Sequence, residues 1–236
     1  MELSKRLQKV ADLVTEGASV ADIGTDHAYI PIYLVKNHKI SKAIALDVNR
    51  GPLERAKEHI KAEGLEELID TRLSDGMEAL KPYEVQEIIT AGMGGGLVIK
   101  ILTDYPQVTE SLNYGVLQPQ SEIHRVRRFL NNQGYRILAE DFVEEDGKYY
   151  PMMKVDFRAN ASEEYSPCQY YFGKRLLEEK NPVLLKYLHR EKKIKEEILG
   201  KLNDQMREKP QERISDRIKE IREELKMIEE ALRAFH

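Results

Sequence analysis

A polar turn follows the first apolar run of the chain, and its residue types indicate cofactor chemistry. Residues 18–21 predict a short buried strand, and Asp22, Gly24 and Asp26 follow before a helical stretch begins. Glycine takes a positive φ without strain there and lets a cofactor lie close to the backbone. Asp26 stands where the dinucleotide-binding fingerprint has its second glycine, and a carboxylate is a poor neighbour for a pyrophosphate. The turn therefore favours a cofactor with a positive charge and no phosphate, such as S-adenosylmethionine.

Acidic residues also end the next two predicted strands. Asp47 lies near the end of the strand at 43–48, about 20 positions beyond the glycine turn, where a carboxylate accepts ribose hydroxyls in nucleotide-binding folds. Asp75 follows the strand at 69–73, where it would accept a hydrogen bond from the amine of an adenine ring. Alternatively, Asp47 caps its turn and Asp75-Gly76 is a common turn pair. The repetition of strand, turn and helix favours the binding roles.

The fourth predicted strand, at 87–91, ends in a glycine-rich loop that contains Gly92, Met93 and Gly94. Such a loop either bends sharply or lets a ligand approach its backbone. No Lys-Ser or Lys-Thr pair follows the glycines, so the loop is not a phosphate-binding P-loop. We expect a helix to begin at residue 97 and Met93 to lie over the crevice.

The fifth predicted strand, at 114–117, is followed by Gln118 and Pro119. The proline keeps Gln118 extended, which places its amide at the carboxyl edge of the sheet. Apolar runs at 135–143 and 149–157 then predict a β-hairpin. Dehydrogenase Rossmann folds close with a parallel strand, whereas an antiparallel ending is typical of class I methyltransferases. We therefore predict an α/β fold, a Rossmann-like seven-stranded sheet of the class I methyltransferase type.

Two predicted helices carry basic residues that a nucleic acid would contact. Residues 3–14 have apolar residues at helical spacing, with Arg6 and Lys9 on the other side. The helix at 122–133 carries His124, Arg125, Arg127 and Arg128. Each set is either a solvated helix face or a group of phosphate contacts. The net charge of -4 does not decide between these two interpretations, because association with a nucleic acid depends on the local electrostatic field and not on the average charge.

The composition changes after Arg158, where a polar stretch at 160–167 leads into charged helices. Isoleucine and leucine alternate steps of four and three from Ile214 to Leu232, which is a coiled-coil seam. A looser seam precedes it, and Lys209-Pro210 separates the two. We predict a methyltransferase domain at 1–160 and a C-terminal α-helical coiled-coil hairpin at 161–236. The hairpin either packs or dimerises, or it grips a large substrate.

Composition excludes several classes of protein. No apolar run reaches the length of a membrane span, and the N-terminus has no apolar signal core. The single cysteine, Cys168, excludes an internal disulfide and fits a reducing cytoplasm. The histidines lack the spacing of a zinc site. We expect a cytoplasmic protein without a metal or membrane partner, monomeric unless the helical seam forms a dimer.

Three strings together resemble the bacterial tRNA (adenine-22, N1)-methyltransferase family. They are Asp-Ile-Gly-Thr-Asp-His-Ala-Tyr-Ile-Pro at 22–31, Ala-Gly-Met-Gly-Gly at 91–95 and Leu-Gln-Pro-Gln at 117–120. The resemblance covers essentially the whole chain. It implies S-adenosylmethionine as the methyl donor and a tRNA adenine as the acceptor, and position 22 comes from the family alone.

Methylation of adenine N1 needs positioning more than proton transfer, because the nitrogen lone pair attacks the methyl group directly. The product is cationic, so a nearby carboxylate such as Asp26 would stabilise the developing charge. His27 and Tyr29 either shape the base pocket or pack the start of the helix. Gln118 would recognise an adenine edge, and Tyr29 or Tyr149 would stack on the exposed base. No Asn-Pro-Pro-Tyr string follows the fourth strand, which counts against methylation of an exocyclic amine.

The candidate residues form three groups. The catalytic candidates are Asp26, His27, Tyr29 and Gln118. The cofactor candidates are Asp22, Gly24, Thr25, Asp47, Val48, Asn49, Asp75, Gly76, Gly92, Met93 and Gly94. The tRNA candidates are Arg6, Lys9, Arg125, Arg127, Arg128 and Tyr149. The alternatives are a methyltransferase of a small molecule or protein, against which the basic cluster counts, and a non-enzymatic RNA-binding protein, against which the series of acidic turns counts.

Overall fold

A computed structural model describes residues 2–209 and 211–236. Internal contacts divide the chain into two compact units, the first ending at Glu163 and the second beginning at Glu164. Pro210, to which the sequence assigns the break between the two seamed helices, lies outside the described residues. In the part of the chain that is described, no helix is long and apolar enough to cross a membrane.

One mixed sheet forms the centre of the first unit. Its strands, within the described ranges, are β1 (Val20–Ile23), β2 (Ala43–Asp47), β3 (Ile69–Leu73), β4 (Glu87–Gly94), β5 (Tyr114–Ser121), β6 (Arg136–Glu145) and β7 (Lys148–Asp156). They lie in the order β3-β2-β1-β4-β5-β7-β6. The first five strands are parallel, and β7 is antiparallel to both of its neighbours. The predicted seven-stranded sheet with an antiparallel ending is confirmed.

Helices cover both faces of this sheet. They are α1 (Lys5–Leu13), α2 (Tyr29–Lys36), α3 (Arg50–Ala62), α4 (Gly95–Asp104), α5 (Pro106–Ser111) and α6 (Ile123–Asn132). Ile88 and Ile89 of β4 are both buried, yet they belong to separate apolar clusters, because successive strand side chains point to opposite faces. A sheet covered on both sides needs such continuous apolar strands.

The strand order places a crevice beside β1 and β4. These two strands are neighbours, with Ile23 opposite Thr90, and the chain continues outward from them in opposite directions. Ligands of open α/β sheets bind at this switch point, outside the carboxyl ends of the strands. The turn after Ile23 and the glycines after Thr90 therefore share one edge.

The glycine-rich segment is more regular than the sequence predicts. In place of a loop at 92–96, β4 continues to Gly94 and α4 begins at Gly95. The ladder between β4 and β5 is irregular around Met93. A Cβ at residue 95 would lie 2.4 Å from the carbonyl oxygen of Ser121, so glycine is what lets the start of α4 pack against the end of β5.

Helix α1 is held to strands that come much later in the chain. Arg6 N donates to Glu145 Oε1 at 3.1 Å, and Lys9 forms an ion pair with Asp141 at 3.0 Å. At the other end of the helix, Lys154 Nζ donates to Leu13 O at 2.9 Å. These contacts fix α1 across the β6–β7 hairpin.

The second unit contains α7 (Pro167–Phe172), α8 (Lys174–Glu178), α9 (Pro182–Glu208) and α10 (Glu212–Arg233). Ion pairs join Lys192 to Glu229 and Lys195 to Glu224, so α9 and α10 run antiparallel. The α10 seam is buried at Ile218, Ile221 and Ile228. On α9, Leu184 and Leu188 are buried, whereas Ile194 and Ile198 are each 36% exposed. The pairing therefore covers the α9 seam best near its beginning.

Candidate active site

The turn after β1 is held against β2 by its own backbone. Gly24 N and Thr25 N both donate to Leu46 O at 2.8 Å. Gly24 has a φ of +72°, and a Cβ there would lie 2.2 Å from Met93 Cε. The Met93 side chain thus lies directly over Gly24.

Two buried carboxylates lie beneath this turn, at the ends of neighbouring strands. Burial raises the pKa of Asp22 to about 6, Thr25 opposes the shift, and the charge of Asp47 adds to it. Asp47 Oδ1 accepts a hydrogen bond from Asn49 N at 2.7 Å, so Asp47 does hold the start of α3. A carboxylate has further acceptor capacity, and capping therefore leaves Asp47 able to bind a ribose.

Apolar side chains are exposed beside Asp47, where a protein would normally bury them. Val48 is 58% exposed, and Leu73, which lies opposite Asp47 in the ladder, is 48% exposed. Leu73 was not predicted from the sequence, because a leucine at a strand end usually packs inward. Asp75 is exposed nearby, and its carbonyl oxygen accepts from Tyr105 at 2.7 Å. This edge offers apolar contact next to acceptors, which suits a flat heteroaromatic ring.

The segment from Asp26 to Tyr29 forms a strained turn on the other side of Gly24. His27 and Ala28 have φ angles of +66° and +55°, which non-glycine residues rarely adopt. The Asp26 side chain is 62% exposed and pairs with Arg55 Nη2 at 2.9 Å and with His27 Nε2 at 3.3 Å. The ring of His27 stacks on those of Tyr29 and His59, with centroids 5.0 and 5.1 Å away.

Arg55 and His59 were not predicted as site residues. Both lie on α3, and their spacing in the sequence is that of any pair on one face of a helix. Only the packing of α3 beside the turn brings them to Asp26 and His27. The sequence carried no signal that distinguishes them from a solvated helix face.

Gln118 is fully buried and joins α1 to the glycine segment. Its Oε1 atom accepts from Arg6 Nη1 at 2.8 Å and from Gly92 N at 3.0 Å. The Arg6 guanidinium also lies 5.4 Å from the centre of the Tyr150 ring. Gln118 therefore holds the glycine segment and α1 together, and its recognition of an adenine edge stays a prediction.

A cavity of about 200 Å³ opens between α1 and the β1 turn. Six of the predicted site residues contribute to its wall, and they come from α1, the end of β1, the turn after it and the start of α2. The lining residues are Arg6, Leu7, Asp22, Gly24, Asp26, His27, Tyr29, Ile30 and Ala91. A larger cavity, of about 430 Å³, lies at the opposite edge of the sheet beside Ser19, Lys42 and Arg72, away from the predicted chemistry.

The prediction that Arg127 contacts a nucleic acid is wrong. Arg127 is 1% exposed, and its Nε atom pairs with the buried carboxylate of Glu140 at 2.7 Å. It lies on the inward face of α6, which the local density of arginines did not reveal. Its neighbours Arg125 and Arg128 are exposed, and Arg125 pairs with Glu122, the N-cap residue of α6.

The remaining basic and aromatic candidates lie apart from α6. Lys9 is partly exposed and paired with Asp141, as described for α1, and Tyr149 stacks on Phe142 with centroids 5.7 Å apart.

His124 lies on α6 itself, where burial, together with the charges of Arg128 and Arg125, lowers its pKa. Among the described residues, no group of three or more His, Cys, Asp or Glu side chains is arranged to hold a metal ion.

Comparisons with known proteins agree with this geometry. Residues 3–153 match a family described as a methyltransferase domain. The chain is 35% identical to the tRNA (adenine(22)-N(1))-methyltransferase of Bacillus subtilis over 230 residues, which cover 94% of this chain and 97% of that protein.

Two solved structures are similar over almost the whole chain. Streptococcus pneumoniae Sp1610 in complex with S-adenosyl-L-methionine has a TM-score of 0.86 and 32% identity, covering 98% of this chain and 100% of that one. TrmK of M. capricolum in complex with S-adenosyl-homocysteine has a TM-score of 0.85 and 28% identity, covering 100% of both chains. The chain therefore belongs to the methyltransferase-domain family and, within it, to the tRNA (adenine(22)-N(1))-methyltransferases that its three motifs resemble.

Proposed function

We propose that this protein transfers a methyl group from S-adenosylmethionine to N1 of adenine 22 in tRNA. One observation carries the proposal: the cavity beside Gly24 combines an acidic turn with the strand ends that bind nucleotides in this fold. The similarity to a tRNA (adenine(22)-N(1))-methyltransferase over 94% of the chain supports the same substrate.

The residues around Gly24 fit S-adenosylmethionine. Glycine at this turn permits close approach, and the Asp47 carboxylate would accept the ribose hydroxyls. Exposed Val48 and Leu73 would contact the adenine ring of the cofactor, with Asp75 beside them as an acceptor. Gly92, Met93 and Gly94 would close the other side. The remaining contacts proposed for the cofactor are Asp22, Thr25, Asn49 and Gly76.

The chain's own residues orient the reaction and stabilise charge. When bound, S-adenosylmethionine supplies an electrophilic methyl group on a positively charged sulfur. The Asp26 carboxylate, on the wall of the cavity, would stabilise the positive charge that develops on adenine. Tyr29 offers a ring beside the same cavity for stacking, and His27 supports that ring. Gln118 would act on the adenine edge, or through the Arg6 and Gly92 contacts that it already makes.

We propose that tRNA contacts the first unit through four basic residues and one aromatic residue, of which Arg125 and Arg128 are exposed and the other three are partly exposed. These are Arg6, Lys9, Arg125, Arg128 and Tyr149. Residues 1–160 would carry the chemistry, and the helical domain from 161 onward would bind tRNA or only pack. We propose that the enzyme acts as a monomer in the cytoplasm, where its tRNA substrate is found.

A methyl-transfer assay tests the proposal directly. The purified protein is incubated with labelled S-adenosylmethionine and unmodified tRNA, and the nucleosides are separated. We expect 1-methyladenosine with wild-type substrate and none with a tRNA that carries guanine at position 22. Methylation of small molecules or proteins but not of tRNA would overturn the proposed substrate.

A further inference from the structure

Helix α3 reaches back to the Asp26–Tyr29 turn with two side chains that lie one helical turn apart. Arg55 Nη2 donates to Asp26 Oδ1 at 2.9 Å. His59 Nδ1 lies 3.1 Å from the carbonyl oxygen of His27. A carbonyl oxygen only accepts, so the Nδ1 atom of His59 carries the proton and donates it. One element thus contacts both the side chain and the backbone of the turn.

The rings of His27, Tyr29 and His59 support the same contact. Their centroids form a triangle with sides of 5.0, 5.1 and 5.5 Å, and their planes differ by at most 21°. Parallel, offset rings at these separations are in a favourable arrangement. His59 therefore holds the turn through its ring as well as through its N–H group.

This turn needs support from outside its own residues. Two successive residues, His27 and Ala28, have positive φ, and such a backbone persists only where the surroundings hold it. The start of α2 has no side-chain cap that would fix the turn locally. Among the described residues, no hydrogen-bond partner is found for His27 Nδ1, so the ring of His27 is fixed by stacking and by Asp26.

We propose that Arg55 and His59 are positioning residues that hold Asp26 and Tyr29 at the cavity wall for methyl transfer. This inference rests on the proposed function, because it assigns the turn to the acceptor side of that reaction. The N-cap residue of the same helix, Asn49, donates its backbone N–H to Asp47, so α3 links the proposed ribose carboxylate to the proposed acceptor pocket. Neither side chain lines the cavity, and both act through the turn.

The test separates the N–H group of His59 from its ring. His59→Phe keeps a stacking ring and loses the donor, and His59→Asn places an amide donor near the position of Nδ1. Arg55→Met removes the charge that pairs with Asp26. Lys57→Ala is the matched control, since Lys57 lies between them on α3 and pairs with Glu54 at the surface. Thermal melts identify any variant that fails to fold.

We expect His59→Phe to lower kcat on tRNA by about 10- to 100-fold, since small misplacements cost rates of this order. The Kd for S-adenosylmethionine should stay unchanged, and His59→Asn should recover part of kcat. Because both residues act on one turn, the loss in the double variant should be smaller than the product of the two single losses. Equal kcat for His59→Phe and Lys57→Ala would overturn the proposal.

Hydrogen exchange gives a readout that does not depend on activity. Ile32 N donates to Ala28 O at 3.0 Å, so its exchange reports on the hold of the turn. In His59→Phe, this amide should exchange faster than in wild type, and in Lys57→Ala it should not. Unchanged exchange at Ile32 would overturn the positioning role, whatever the activity. If the wild-type enzyme forms no 1-methyladenosine, the proposed function fails on its own, while the exchange data still decide whether α3 holds the turn.

Discussion

Replacing Gly24 by alanine should weaken cofactor binding far more than it weakens the fold. The new Cβ would lie 2.2 Å from Met93 Cε, well inside the normal contact distance of about 3.5–4.0 Å between carbon atoms. The far end of a methionine moves at little cost, so the fold should lose mainly the cost of a left-handed alanine, roughly 1–2 kcal/mol. The methyl group would then occupy space that the cofactor needs.

Gly17→Ala provides the matched control for backbone strain. Its φ of +77° is close to the +72° of Gly24, but nothing lies within 4 Å of an added Cβ. Both variants should therefore lose roughly the same 1–2 kcal/mol of unfolding free energy in urea titrations. Isothermal titration with S-adenosylmethionine should show at least a tenfold rise in Kd, about 1.4 kcal/mol, for Gly24→Ala alone.

Two results bear on the cause of the loss. Wild-type affinity in Gly24→Ala would refute the argument that the cofactor approaches this backbone closely. If Gly24→Ala/Met93→Ala recovers full affinity, displacement of Met93 is the cause. If the double variant stays weak, the new methyl group itself blocks the cofactor.

Three further changes test other parts of the site. Asp26→Ala should lower kcat by roughly 10²–10³-fold, because charge stabilisation is lost, without changing the melting temperature of a fold in which Asp26 is exposed. Arg127→Ala should cost about 3–5 kcal/mol in urea unfolding because the buried Glu140 carboxylate loses its ion pair with Arg127, whereas Arg125→Ala should cost at most about 1 kcal/mol. The pKa of Asp22 is raised from 3.8 to about 6, so the folded state binds the proton more tightly and unfolding free energy should fall as pH rises between these values. Asp22→Asn should remove this part of the pH dependence, which is up to about 3 kcal/mol at about 1.4 kcal/mol per pKa unit.

Each of these has a result that would contradict it. Full activity in Asp26→Ala would exclude the charge-stabilising role. Equal unfolding free energies for the Arg127 and Arg125 variants would mean that the buried ion pair stabilises the fold no more than an exposed one does. An unchanged pH dependence in Asp22→Asn would assign the titration to another group.

The sequence predicts the strand ends well because the signals there are local. Gly24, Asp47 and Asp75 each lie at or within two residues of the end of a predicted strand, so their arrival at one edge needs only the rule that parallel strands share a direction. The antiparallel β6–β7 hairpin could also be predicted, because two apolar runs are joined by an acidic turn.

The side-chain partners could not be predicted in the same way, because they come from distant parts of the chain. Gln118 binds Arg6 across 112 positions, and nothing around either residue indicates the other. Arg127 looks like its exposed neighbours until β6 brings Glu140 beneath α6. A sequence pattern can predict a helix or a strand, but the partner of each charged side chain on it depends on how the helices and strands pack together.

The attachment of α1 has a consequence for the order in which the enzyme is assembled. Synthesis makes α1 first, but its partners Glu145, Asp141 and Lys154 belong to the hairpin that completes the sheet, so their pairing closes very long loops. Contacts of this kind form late, because loop-closure entropy is lost before they stabilise the chain. Arg6, on the cavity wall, therefore arrives only after β6 and β7 have formed. A nascent chain that stops before the hairpin has the glycine turn and its acidic strand ends, yet it lacks the partners that hold Arg6 at the cavity wall.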